Sequence, residues 1–246
     1  MARLHKLFFA IFAPLLLLQG KRVRARTPRL PEAEGARAGF TAGAAPAGEK
    51  GLPLLRVLVL GDSAAAGVGC ARQEQAVLGQ WVAALSEHAE VEWQLVAKSS
   101  LTCAQVLKLL RESDLTAKRF DQVLVSVGVN DVTRRTAPKK WQADLAAMTA
   151  YLTHQLQAKH ILYTALPPMH KFPALPQPLR WLVGEQAKQL NNLLKLHCRQ
   201  QSNTYYLAFE VPYESKFIAA DGYHPSAHAA ALWAQTAAKV GFEETN

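Results

Sequence analysis

The chain has 246 residues, half of them hydrophobic, which allows one sizeable buried core plus a tail and excludes a disordered protein. Its formal charge of +9 is uneven, with eight basic and two acidic residues in the first 37 and only +3 over the other 209. A body so nearly neutral argues against a nucleic-acid partner and assigns the basic character to the N-terminal tail.

Leu7 to Leu18 is an apolar run broken only by Pro14 and preceded by Arg3 and Lys6, the layout of a signal peptide or membrane anchor occupying residues 1–20. It is shorter than the roughly 20 apolar residues of a comfortable span. No Ala-x-Ala-like cleavage site follows it, and the five basic residues from Lys21 to Arg29 resist translocation. Membrane association, with the basic segment against anionic headgroups, is the expectation, and export through an atypical signal peptide stays open beside it. A terminal helix tucked into the core fits less well, because nothing polar interrupts the run. Residues 21–51, rich in Pro, Gly and Ala, read as a linker, and a catalytic domain is expected over 52–246.

Leu54-Leu-Arg-Val-Leu-Val-Leu60 shows no polar alternation, which suits a strand covered on both faces of a parallel sheet. Ser63 then stands at its carboxyl end, where open α/β sheets bind ligands, followed by the small run Ala64-Ala-Ala-Gly67. Further along, Gln75–Ser86 is predicted helical, Val91–Ala97 a strand, and Thr102-Cys-Ala-Gln105 a capping box that opens a helix to about Ser113. Phe120–Val127 is the third strand and ends at Gly128-Val-Asn130-Asp131. A helix over Pro138–Gln157 and a strand over His160–Ala165 follow. The prolines between Pro167 and Pro178 force a stiff loop. That loop reads equally as a spacer or as a pocket wall lined by Met169, Phe172 and Leu175. Leu179–Cys198 is helical, Tyr205–Phe209 the last strand, and Ser226 the N-cap of a final helix to Lys239. Strict strand–helix alternation predicts an α/β fold, a three-layer α/β/α arrangement around a parallel sheet of about five strands.

In Asp221-Gly-Tyr-His224-Pro225, a carboxylate three residues before a histidine on a glycine turn can hold one ring nitrogen and leave the other facing outward. That supplies the orienter and base of a serine triad on one short loop. With sheet order 2-1-3-4-5, Asn130 leaves the strand beside Ser63 and can direct its amide at an oxyanion. Asp131 reads as a loop brace that bonds backbone amides.

Gly61-Asp62-Ser63, Gly128-Val-Asn130-Asp131 and Asp221-Gly-Tyr-His224-Pro225, in this order, resemble the first, third and fifth blocks of the SGNH (GDSL-type) hydrolases, and the resemblance covers about Leu54 to Lys239. It implies a flavodoxin-like SGNH fold with Ser63 as nucleophile, His224 as base and Asp221 as its partner. It further implies an oxyanion hole from the Ser63 amide, the Asn130 side chain and a second-block amide, with Asp62, Gly128 and Asp131 in support. The family has a glycine in that second block, whereas this chain reads Ala97-Lys-Ser-Ser100-Leu-Thr102. Ser100 is the positional match; its N–H still donates if its backbone is ordinary, and its side chain narrows the acyl pocket.

The expected activity is hydrolysis of small-molecule carboxylic esters, lipid-like or short-acyl, with no metal or cofactor. Lysophospholipase, acyl thioesterase, carbohydrate O-deacetylase and a silent membrane-tethered binding protein are the alternatives. An α/β-hydrolase-fold elbow needs Gly-x-Ser-x-Gly, and Gly61-Asp-Ser63-Ala-Ala65 lacks the second glycine. A metal hydrolase on Asp221, His224 and His228 is a weaker rival, since Pro225 sets His224 ahead of the helix. No Gly-x-Gly-x-x-Gly or Gly-Lys-Ser/Thr follows the first strand, which excludes a nucleotide-binding module. Cys70, Cys103 and Cys198 lack Cys-x-x-Cys spacing, which argues against a disulfide scaffold or zinc site, and they read as bystander thiols.

Overall fold

The computed structural model describes residues 2–44, 51–115, 119–208, 212 and 214–243, with side chains described from residue 12 to residue 241 within those ranges. The elements in chain order are α1 (Ala2–Arg26), β1 (Ala38–Thr41), β2 (Leu54–Gly61), α2 (Val77–Ser86), β3 (Glu90–Ala97), α3 (Cys103–Glu112), β4 (Gln122–Ser126), α4 (Val129–Thr133), α5 (Pro138–His154), β5 (His160–Thr164), α6 (Leu179–Arg199), β6 (Thr204–Leu207) and α7 (Ala227–Glu243). The sheet runs β1-β3-β2-β4-β5-β6, with every pair parallel except β1 on β3. The predicted 2-1-3-4-5 order is therefore present, with one further strand at the edge. Phe209, the expected end of the last strand, lies outside the described residues.

The unbroken apolar run of β2 does what its composition requires. Leu58 and Leu60 enter one core with Val123 and Val125 of β4 and Ile161 and Tyr163 of β5, beneath α3, α5 and α6. Val57 and Val59 enter the other core with Leu124 and Leu162, against α2 and α7. Both faces of the central strands are thus buried, and the period of two decides only which core each residue joins. Trp141 of α5 is fully buried and its indole N–H donates to the Leu190 carbonyl at 3.0 Å, which locks α5 to α6. At α3, the Thr102 N–H donates to the Gln105 side-chain oxygen at 3.1 Å, the reciprocal half of the predicted capping box.

Two expectations need correcting in the N-terminal part. The stretch taken as linker, 21–51, is not structureless. α1 continues through Arg26, and Ala38–Thr41 adds an antiparallel strand along β3, a segment too short for its pattern to stand out from its Gly/Ala-rich surroundings. The end of α1 also packs on the body: Leu16 is 2% exposed, Val23 rests on the larger core, and Gln19 bonds the Gln177 carbonyl at 2.7 Å and the Leu179 N–H at 3.2 Å. The tucked-helix reading therefore describes its second half, where an amide at Gln19 interrupts the apolar face. Among the described residues, no helix is long and apolar enough to cross a membrane.

Candidate active site

The carboxyl ends of β2 and β4 meet in register, with Gly61 opposite Ser126. A Cβ on Gly61 would sit 2.3 Å from the Ser126 carbonyl oxygen, so only glycine lets the two strand ends approach. The chain then turns sharply: the Ala66 N–H returns to the Asp62 carbonyl at 2.9 Å and the Val68 N–H to the Ser63 carbonyl at 3.0 Å. This turn carries the Ser63 side chain above the sheet edge, into a cleft of about 1310 Å³.

β6 runs parallel to β2, so it ends at the same edge, where the Asp221–His224 segment also lies. The Asp221 Oδ1 atom accepts the N–H groups of Tyr223 at 3.0 Å and His224 at 3.1 Å, a turn that Gly222 permits at φ +75°. The other oxygen, Oδ2, lies 2.5 Å from His224 Nδ1, and His224 Nε2 lies 2.8 Å from Ser63 Oγ. Residues separated by 161 positions thus meet at bonding distance. Burial pushes the Asp221 carboxyl up, but bonds from the His224 ring and from the His224 and Tyr223 amides outweigh it, and its pKa lies below the ordinary value. An ionised Asp221 accepts a hydrogen bond from His224 Nδ1–H, so Nε2 carries no proton and is free to accept from the serine hydroxyl.

Gly128, at φ +119°, precedes the short helix α4, where a loop was expected. α4 sets Asn130 at the cleft, with its side-chain amide donating to Asp62 Oδ2 at 3.1 Å. Asp62 Oδ1 accepts the Ala64 N–H at 3.2 Å. Asp62 is 2% exposed, and burial raises its pKa to about 6 against the opposing bonds from Ala64 and Asn130. Asp131 braces its neighbourhood as expected, through a Cys103 N–H at 2.9 Å and the Thr136 hydroxyl at 3.0 Å. The Cys103 bond staples α4 to the segment that holds Ser100.

Ser100 does not have ordinary backbone. Its φ of +67° is the left-handed conformation that glycine adopts freely, so the residue keeps the glycine-like shape while carrying a side chain. Its carbonyl accepts from Arg134 at 2.7 Å, a second tie between this turn and the end of α4. Sequence reasoning missed Glu32, which lay in the supposed linker. Its carboxylate accepts the Ser99 N–H at 2.7 Å and pairs with Arg37 at 3.3 Å, and Arg37 in turn binds the Ala97 carbonyl. An acidic residue in a basic, proline-containing stretch carries no local signal of such a contact.

Of the proposed proline-loop lining, Phe172 faces the cleft and stacks edge-on against Tyr223 at 5.7 Å. Met169 instead enters the core, and Leu175 faces a neighbouring groove beside α1. The apolar periodicity of a proline-broken segment does not say which side is inward. Among the described residues, no group of three His, Cys, Asp or Glu side chains is placed to hold a metal, so Asp221, His224 and His228 form no such set. All three cysteines are free and buried, and burial raises the pKa of each thiol.

A serine on the turn after the first parallel strand, in contact with a histidine–aspartate loop and flanked by an asparagine, defines a class of hydrolase. Residues 59–232 match the model of the GDSL-like lipase/acylhydrolase family, and the chain belongs to that family. Solved structures share the fold. The esterase EstA from a Pseudoalteromonas species, in a structure inhibited by monoethylphosphonate, is 20% identical, with TM-score 0.56 over 78% of this chain and 99% of that one. A lipase/acylhydrolase from Enterococcus faecalis is 18% identical, with TM-score 0.55 over 76% and 94%. A carbohydrate esterase family 2 enzyme from Corynascus thermopiles is 15% identical, with TM-score 0.57 over 80% and 68%. No curated protein matches the chain by sequence.

Proposed function

We propose that the protein hydrolyses carboxylic esters through an acyl-enzyme on Ser63. The observation that carries this reading is the unbroken relay from Asp221 through His224 to Ser63, at 2.5 and 2.8 Å. As Ser63 Oγ bonds to the ester carbonyl carbon, its proton passes to His224 Nε2. The Asn130 amide and the Ser63 N–H stabilise the oxyanion, and the Ser100 N–H joins them although its backbone is not the ordinary one expected, because a φ of +67° gives it the shape a second-block glycine would take. On collapse, the carbon–oxygen bond to the alcohol breaks and His224 returns its proton to that alcohol. Water then attacks the acyl-enzyme and gives a proton to His224; the carbon–Oγ bond breaks, His224 returns that proton to Ser63 Oγ, and the acid is released.

The substrate class is lipid-like or short-acyl esters, supported by apolar lining from Val68, Val129, Phe172 and Phe217. Exposed Leu15, Leu17 and Leu18, at 41, 62 and 59%, with Arg22 and Arg26 nearby, support association of the N-terminal segment with an anionic bilayer surface. Purified protein should turn over p-nitrophenyl butyrate and take up one fluorophosphonate label on Ser63. If Ser63→Ala protein is labelled as well, or if no ester from short acyl to lysophosphatidylcholine is cleaved, the reading fails and a silent binding protein remains.

A further inference from the structure

The last turn of α1 and the residues after it form part of the wall of the Ser63 cleft, through Arg24, Thr27, Pro28 and Arg29. Four cationic side chains line this cleft: Arg24 and Arg29 here, Arg134 and Lys171 elsewhere on the wall. Its two carboxylates, Asp62 and Asp221, are both buried and bound to Asn130 and to the His224 ring. Among the described residues, Arg134 donates to the neutral oxygens of Gln105 and Ser100 and forms no ion pair. Arg24 and Arg29 are exposed and have no ion-pair partner among the described residues. Among the described residues, Arg24, Arg29 and Arg134 therefore bring positive charge to the cleft mouth that no described carboxylate pairs with, although the body of the protein is close to neutral.

The charge is also placed on one side. Val23, Arg26, Thr27 and Pro28 line one groove with Asp221, the residue that holds the His224 ring. The end of α1 thus stands on the Tyr223–His224 side of Ser63. In the acyl-transfer reading, His224 must hand its proton to the departing alcohol, so the alcohol portion of the ester faces this side and the acyl portion faces away from it.

We propose that Arg24 and Arg29 form an anion subsite for the alcohol portion of the substrate, so that the preferred ester carries a phosphate-class group on its leaving alcohol. This inference rests on the esterase reading of the Ser63 site. Guanidinium groups suit the task because they stay charged and fit phosphate oxygens with paired N–H donors. The same chemistry is offered by a soluble phosphomonoester and by a lipid headgroup, and the test below separates them.

The full-length protein would be assayed with two water-soluble phenyl butyrates, one with 4-hydroxyphenyl phosphate as leaving alcohol and one with uncharged 4-(hydroxymethyl)phenol acylated on its phenol oxygen. The phosphate ester is expected to have a kcat/KM at least about tenfold higher, mainly through KM, with the ratio collapsing as salt is raised. The Arg24→Gln/Arg29→Gln protein should bring the ratio to near one and weaken competitive inhibition by phenyl phosphate. A wild-type ratio near one, or a preference that survives the double substitution, overturns the subsite. So does a double substitution that lowers partition onto phosphatidylglycerol vesicles but leaves the ratio of the soluble esters intact, because the arginines then serve the bilayer. If neither ester is hydrolysed, the esterase reading fails on its own, and binding of phenyl phosphate by calorimetry, weakened or unchanged in the double variant, still decides the subsite.

Discussion

The Asp62 carboxylate accepts a hydrogen bond from the Asn130 side-chain amide at 3.1 Å, which ties the turn after β2 to the helix after β4. An asparagine amide has two N–H groups, so one can be fixed by Asp62 while the other points at the developing oxyanion. The orientation of Asn130 therefore depends on a buried acid whose pKa is raised to about 6. Because Asp62 holds its proton more tightly folded than unfolded, its stability contribution is complete below the unfolded value near 3.8 and is lost as pH rises through about 6. The full swing is roughly 3 kcal/mol. Urea unfolding at pH 4.5 and 7.5 should show this loss in the wild type and a much flatter profile in Asp62→Asn. Equal slopes for the two proteins would remove Asp62 as the cause.

Replacing Asn130 by Ala should leave the fold intact and lower kcat by about 10²–10³-fold, the usual effect of losing one oxyanion donor. KM should change little, since the ground-state carbonyl makes weaker demands on that donor. Steady-state kinetics together with a circular dichroism spectrum check both halves of the expectation.

Asp221→Asn should be more damaging than its distance from the substrate suggests. The amide in place of the carboxylate can present an N–H to His224 Nδ1, which forces the proton onto Nε2 and removes the acceptor for the Ser63 proton. A fall in kcat of about 10³–10⁴-fold is expected, as in other serine triads. A loss of tenfold or less would show that His224 keeps its tautomer without Asp221.

Ser100→Gly removes a side chain from a residue at φ +67°. Relief of the left-handed strain should stabilise the protein by about 1 kcal/mol or offset the added flexibility of glycine. The narrower acyl pocket should also open, shifting the kcat/KM profile of p-nitrophenyl esters towards longer chains. A profile that stays fixed from acetate to octanoate would mean the Ser100 side chain does not limit the pocket.

Glu32→Gln tests the brace that the N-terminal segment provides to the Ser99–Ser100 turn. Burial alone would raise the Glu32 pKa, but the Ser99 bonds and Arg37 bring it below the ordinary value, so its contribution is present at neutral pH and is lost as pH falls through its folded pKa. Because Glu32 is about a third exposed, stability should fall by less than about 1 kcal/mol. The larger effect should appear in kcat, measured on p-nitrophenyl butyrate, through misplacement of the Ser100 N–H.

Much of this was legible in the residues because it rests on strong local signals. The apolar run of β2, the capping box at Thr102 and the turn at Gly222 each have a physical cause confined to a few positions. Ser63, Asn130, Asp221 and His224 could be placed because parallel strands deliver their carboxyl ends to one edge. What stayed hidden depends on tertiary contact. β1 exists only because β3 offers an unpaired edge, α1 ends on the cleft because Gln19 finds partners 158 and 160 residues away, and Glu32 matters through the Ser99 amide and Arg37.

In the proposed reaction the nucleophile is Ser63 and its proton acceptor is His224, on a loop that follows the last strand of the sheet. During synthesis, the serine leaves the ribosome long before the imidazole that activates it, and in that interval its hydroxyl is as inert as that of any other serine. On the proposed mechanism, hydrolytic power arrives only when β6 has docked and the Asp221–His224 turn reaches Ser63. A partly made or partly unfolded chain is thereby kept from attacking the acyl esters around it.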